Sequence, residues 1–186
     1  MPQIPAGKAL LDAAALLREA GIRVGYNVVD LGSGTSGHFT FPAAHMVGET
    51  GKVYAVDILK GALAGIESRA RIEGTTNVEP VWGNIERVGG VRVPAGQMDL
   101  ALLVNVASLI AKSPDVAREA ARLLKDNGHM LVIDWKPEGS GFGPPAESRH
   151  SAKDILKLFT AHGFVAIKEF DAGPSHWGLL MKKQAK

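Results

Sequence analysis

Short apolar runs recur along the chain, and between them lie longer stretches whose apolar residues return at helical spacing. The runs YNVVDL (26–31), KVYAVD (52–57), VEPVW (78–82), MDLALLV (98–104) and HMLVIDW (129–135) predict strands, several of them apolar throughout. Helices are predicted over 8–20, where Leu11, Ala14, Ala15 and Leu17 share helical spacing and Gly21 stands as a stop. Further helices are predicted in HFTFPAAHMVGE, with Pro42 near its first turn, over 59–72, over 113–126 with Ser113-Pro114 at its start, and over 151–163 with Ser151 as N-cap. Alternating strands and helices predict an α/β fold, a single doubly wound, Rossmann-like parallel sheet covered on both faces. The last two runs, 163–170 and 177–183, are joined only by DAGPSH. That link is too short for a crossover helix, so these strands are expected to pair antiparallel.

Composition narrows the picture. At 186 residues, with no linker or repeat, the chain is expected to be one domain: 1–24 a lead-in helix region, and the polar, Gly/Pro-rich stretch 136–150 a long functional loop. Glycine is over-represented, 22 of 186, against a usual share of about 7%. A net charge of +2 gives no strong signal for nucleic acid or an anionic membrane surface. The absence of cysteine excludes disulfides, thiolate metal sites and covalent cysteine chemistry, and suits a reducing cytoplasm. The chain start lacks a signal-peptide pattern, and nowhere do 18 apolar residues run together. The expectation is therefore a soluble, cytoplasmic protein, and the six histidines show no metal-ligand spacing.

Gly32-Ser33-Gly34-Thr35-Ser36-Gly37 has the form G-x-G-x-x-G, leaving a predicted strand and opening a predicted helix. In that setting glycines let the backbone approach a ligand, and the helix start offers free N–H groups. Asp57 closes the second predicted strand, 20 residues beyond Gly37, where a carboxylate accepts hydrogen bonds from both hydroxyls of a ribose. A nucleoside-containing cofactor is expected, and both NAD(P) and S-adenosylmethionine (SAM) answer that description. Asp30, two residues before the first glycine, favours SAM. A pyrophosphate gains nothing from an acid there, whereas SAM presents an ammonium and a sulfonium.

Asp30-Leu31-Gly32-Ser33-Gly34, VYAVDI with Asp57, and WGNIE at 82–86 together resemble the class I SAM-dependent methyltransferases, in particular the compact ubiquinone/menaquinone-biosynthesis and type-11-like groups. The resemblance covers nearly the whole chain. It implies about seven strands with the last antiparallel, SAM as cofactor, and methyl transfer to an acceptor. It assigns Asp30, Gly32, Ser33, Gly34 and Gly37 to the cofactor turn, Asp57 and Ile58 to the ribose, Asn84 and Ile85 to the adenine, and Asn105 to the border of the methyl group. Two departures stand out. Gly83 is followed by Asn84 where the family usually has aspartate, and the turn is one residue longer than the commonest pattern. NVAS after the fourth strand lacks the Asn/Asp-Pro-Pro-aromatic signature of many amino-directed nucleic-acid methyltransferases, which argues against adenine-N6 or glutamine methylation; with no added recognition domain or basic cluster, a small-molecule acceptor is expected.

An activated sulfonium needs mainly an acceptor held in line, so no base is obligatory and no catalytic residue is fixed by sequence. Candidates by position are His38 at the turn, Asp134 and Lys136 at the end of the fifth strand, and His150 before the next helix. The stretch 136–150 is the candidate acceptor loop and lid. Two other readings remain at this point. One is an NAD(P)-dependent Rossmann oxidoreductase, which would need a catalytic tyrosine that Tyr26 and Tyr54 are poorly placed to supply. The other is a non-catalytic SAM-binding protein. The acceptor and the oligomeric state are left open.

Overall fold

The computed structural model describes residues 11–138 and 143–185. Its strands are β1 Asn27–Leu31, β2 Lys52–Asp57, β3 Val78–Trp82, β4 Met98–Val104, β5 Leu124–Trp135, β6 Phe164–Gly173 and β7 His176–Lys183. They form one seven-stranded sheet in the order β3-β2-β1-β4-β5-β7-β6. β1 to β5 pair in parallel, and β7 runs antiparallel to both β5 and β6. The α/β, doubly wound reading and the antiparallel ending both hold.

The final hairpin shows how local sequence sets topology. β7 is nearly continuously buried and takes the inner place, while β6 is mostly exposed, as an edge strand tolerates. Gly178 makes the pairing fit: a Cβ there would stand 2.4 Å from the Phe170 ring that packs on it.

The helices are α1 Ala13–Glu19, α2 Thr40–Val47, α3 Lys60–Glu73, α4 Ala107–Lys112, α5 Asp115–Leu123 and α6 Ala152–Thr160. α1 and α2 cover one face, joining Val28, Val53, Leu100, Leu102, Leu131 and Ile133, and α3 adds Ile66 against Phe41 and Ala55. On the opposite face α4, α5 and α6 pack on Val29, Leu31, Leu103, Val132 and Leu179. Among the described residues no helix is long and apolar enough to cross a membrane.

Three local expectations need correction. α1 buries Ala13, Leu16 and Leu17, with Leu11 before it, whereas Ala15 faces solvent. Asp12 caps that helix through its side chain, accepting from Ala15 N–H. Second, the helix expected over 113–126 is shorter, Asp115–Leu123. A six-residue helix, α4, precedes it unforeseen, because one and a half turns leave no period to read. α5 ends at Leu123, since Leu124 already pairs with Met98 as the start of β5. Third, Ser113 is not a cap. Pro114 holds that place without a side-chain bond, and Ser113 Oγ donates to the Glu86 carbonyl at 3.3 Å. Ser151, by contrast, caps α6 as expected, accepting from Asp154 N–H.

Candidate functional site

β1 and β4 are sheet neighbours although β2 and β3 lie between them in sequence, so the strand order reverses there. Ligands of open α/β sheets bind at such a reversal, beyond the carboxyl ends of the strands. The glycine turn sits at that place, and its glycines serve different ends. Gly32 (φ +88°) passes so near the chain after β4 that a Cβ would stand 3.0 Å from Val106 Cγ1. Gly37 (φ +57°) lets Phe41 and Ile66 close in, a Cβ meeting them at 2.8 and 2.6 Å. Gly34 (φ +64°) has nothing within 4 Å of where a Cβ would be, so its face is open to a ligand. The N–H groups of Gly32 and Ser33 both donate to the Val56 carbonyl, at 2.9 and 3.0 Å, which folds the turn over β2. Ser33 Oγ is buried with no partner.

Two carboxylates flank the turn. Asp57, at the tip of β2, accepts from Gly34 N–H at 3.0 Å through Oδ2 and from Leu59 N–H at 2.9 Å through Oδ1. Each oxygen keeps a second lone pair, the capacity a vicinal diol requires. Asp30 is only 2% exposed and accepts from Thr40 Oγ1 at 2.7 Å. Burial pushes its carboxyl up to about 6, against the lowering effect of the Thr40 bond, and the nearby Asp57 charge adds to the rise. Such a group gains from a cation placed beside it.

Toward β3 a cleft of about 190 Å³ is lined by Gly32, Asp57, Ile58, Asn84, Ile85 and Val106, among others. Its floor turns on Asn84, whose Oδ1 is engaged by Glu86 N–H at 2.9 Å and whose N–H donates to the Gly90 carbonyl at 3.2 Å. The segment is clamped from behind by a residue the sequence did not flag. Glu119, on α5 and fully buried, accepts from Gly89 N–H (2.7 Å), Val91 N–H (3.0 Å) and the Arg122 guanidinium (2.7 and 2.8 Å). Burial raises the Glu119 carboxyl, but the bonds from Arg122, Gly89 and Val91 outweigh it and leave it below the ordinary carboxylate value. Nothing in the 113–126 pattern marks Glu119; its helical position alone places it on the buried side.

The candidates for chemistry are dispersed. His38 Nε2 lies 3.0 Å from the Leu11 carbonyl, tying the start of the chain to the turn. Asp134 is buried and braces the chain after β4, accepting from Ala107 N–H at 2.7 Å; burial raises its carboxyl despite that bond. Lys136 is drawn to the β6–β7 hairpin, 3.0 Å from Asp171 Oδ1 and from the Gly173 carbonyl. His150 gives its carbonyl to Trp177 Nε1 at 2.9 Å. Asn105 holds a left-handed backbone (φ +58°) at the end of β4, and its Oδ1 lies 3.1 Å from Nε2 of His176. His176, which sequence reading passed over inside the short DAGPSH link, is thereby brought to the same sheet edge. The stretch 136–150 is described except for 139–142, so the lid expectation lies partly outside the described residues.

The sheet order and this turn define an α/β domain with a glycine turn and two carboxylates at its strand-order reversal. Comparison with known proteins makes the assignment specific. The profile of a methyltransferase domain family matches residues 22–171. An arsenite methyltransferase of Aquipseudomonas alcaligenes is 35% identical over 114 residues, 59% of this chain and 33% of that protein. A ubiquinone/menaquinone biosynthesis C-methyltransferase of Escherichia fergusonii is 33% identical over 117 residues, 62% of this chain and 45% of that protein. A SAM-dependent methyltransferase from Aquifex aeolicus shares the fold with a TM-score of 0.88 at 24% identity, over 96% of this chain and 93% of that one. The chain belongs to the methyltransferase domain family, in its SAM-dependent class I branch. It spans less than half the length of the two curated relatives.

Proposed function

We propose that this chain binds SAM across the β1–β4 reversal and directs its methyl group to a small-molecule acceptor. The observation that carries the reading is the pairing of Asp57 with the open face of Gly34, beside a buried carboxyl, Asp30, that a cation would help to ionise. The residues suit the ligand. Asp57 offers two acceptors to the ribose, Asn84 and Ile85 line a cleft of single-ring-system size for the adenine, and Asp30, buried at the tip of β1, supplies the charge for the cationic end. SAM, when bound, supplies an electrophilic methyl on positively charged sulfur. The chain's part is to hold it, exclude water and align the acceptor. Family membership and the inner antiparallel β7 weigh against the NAD(P) oxidoreductase. A cytoplasmic location and a small acceptor are part of this proposal; they rest on the cysteine-free composition and on the near-neutral charge.

Calorimetry with SAM, S-adenosylhomocysteine and NADH tests the binding: the first two should bind and NADH should not. Asp57→Ala should weaken SAM by about tenfold to a hundredfold, the cost of one or two charge-assisted bonds. Unchanged affinity in that variant would remove the basis of the reading. Transfer of labelled methyl from SAM into a metabolite extract separates an enzyme from a non-catalytic binder, which would yield none.

A further inference from the structure

Every residue of the glycine turn is met by the unit that runs from the end of β2 into α3. The Val56 carbonyl accepts from Gly32 and Ser33 N–H, and Asp57 accepts from Gly34 N–H at 3.0 Å. Beyond that point the contacts pass to α3. Gly65 lies so close to the turn that a Cβ would stand 2.8 Å from the Thr35 carbonyl oxygen. Arg69, one helical turn further along the same face, donates a guanidinium N–H to the Ser36 carbonyl at 2.6 Å. Ile66 fills the space beside Gly37. Thr35 and Ser36 are themselves exposed, so the second half of the turn takes its place from α3.

Two features set these contacts apart from ordinary surface packing. Glycine is the poorest helix former after proline, and α3 carries two. At Gly61 nothing lies within 4 Å of where a Cβ would be, whereas at Gly65 the Thr35 backbone occupies that space. Arg69 is itself fixed from two sides: its guanidinium lies 4.1 Å over the Phe41 ring, and its Nε pairs with Glu73 at 2.7 Å. Phe41 directly follows Thr40, whose hydroxyl donates to Asp30. The half of the turn gripped by α3 therefore leads into the Asp30–Thr40 pair, while the other half ends on Asp57.

We propose that Gly65 and Arg69 are positioning residues for the amino-acid end of SAM: by holding Thr35 and Ser36 they set the path of the chain between the ribose-binding Asp57 and the Asp30–Thr40 pair. Both act through the turn and not by touching the ligand. The proposal rests on the methyltransferase reading for the identity of the ligand, while the grip of α3 on the turn is read without it. A ligand that has the adenosyl group but no amino-acid end is indifferent to the two residues.

S-adenosylhomocysteine and 5′-methylthioadenosine, which shares the adenosyl group and lacks the amino acid, serve as probes in calorimetry. Gly65→Ala and Arg69→Ala should each weaken S-adenosylhomocysteine by about tenfold, the worth of one hydrogen bond, and leave 5′-methylthioadenosine within about twofold of the parent. Arg69→Lys keeps a cation on a stem of similar length and should recover part of the loss. Gly61→Ala, on the same helix with open space beside it, should change neither affinity. The Arg69 side chain is 40% exposed, so its removal leaves the core intact. Unchanged S-adenosylhomocysteine affinity in Arg69→Ala, or equal loss of both ligands, overturns the proposal. Should the parent bind neither ligand, the methyltransferase reading falls alone, and amide hydrogen exchange at 33–37 decides on the grip. Exchange there should quicken in both alanine variants, and an unchanged rate overturns it.

Discussion

At the scale of single residues, Gly34 and Gly37 separate what binding asks of the chain from what folding asks. Both have left-handed backbones, which cost an L side chain about 1–2 kcal/mol. Only Gly37 has its Cβ position filled, by Ile66 and Phe41, whereas the space beside Gly34 is open. Gly37→Ala should therefore lose about 2–4 kcal/mol of stability, strain and overpacking together, measured by the urea midpoint. Gly34→Ala should lose about 1–2 kcal/mol and show its larger effect in calorimetry with S-adenosylhomocysteine, because the added methyl stands where the ligand would approach. Equal stability losses in the two variants would count against this division. The G-x-G-x-x-G spacing made all three glycines visible in sequence, but not which of them faces a ligand. That depends on Ile66 and Val106, both remote in the chain.

At the scale of elements, strands announced themselves because each is an apolar run closed by polar residues, and Asp30 and Asp57 were legible as the acids at two strand tips. What stayed hidden depends on pairing between distant segments. α4 is too short to carry a period, the start of β5 is fixed by Met98, and Glu119 reads as one more polar residue on an amphipathic helix. That glutamate is what lets α5 shape the cleft at Asn84: it holds Gly89 and Val91, and Val91 bridges to Gly83 beside Asn84. Glu119→Ala takes the acceptor from the buried Val91 N–H and the part-buried Gly89 N–H and leaves the Arg122 guanidinium only its bond to the Val91 carbonyl, so it should cost about 3 kcal/mol. Glu119→Gln keeps the shape and part of the bonding and should cost less. In the glutamine variant, amide hydrogen exchange should quicken at 87–91 and affinity for S-adenosylhomocysteine should fall, while α6 and β6 keep their protection. Uniform acceleration over the whole chain would instead mean that Glu119 only supports global stability.

At the scale of the whole molecule, two buried groups on one sheet face set the response to acid in opposite directions. Asp30 titrates at about 6 in the fold and near 3.8 when unfolded. The native state therefore holds the extra proton in that window, and stability from this group rises as pH falls from 6 toward 4. His176 titrates at about 4 in the fold and near 6.5 when unfolded. Here the unfolded chain holds the extra proton, and stability is lost as pH falls from 6.5 toward 4. Between pH 7 and about 4.5 each contribution amounts to about 2 kcal/mol, and the two offset one another. Comparing each variant with its parent at both pH values cancels every other titrating group. Asp30→Asn should thus lose about 2 kcal/mol more than the parent on acidification, and His176→Phe about 2 kcal/mol less, read from urea unfolding at the two pH values. The opposite signs are the decisive feature. Variants whose stabilities track the parent in parallel would show that neither group changes its protonation affinity on folding, and that the Asp30 carboxyl is already ionised before any cation reaches it.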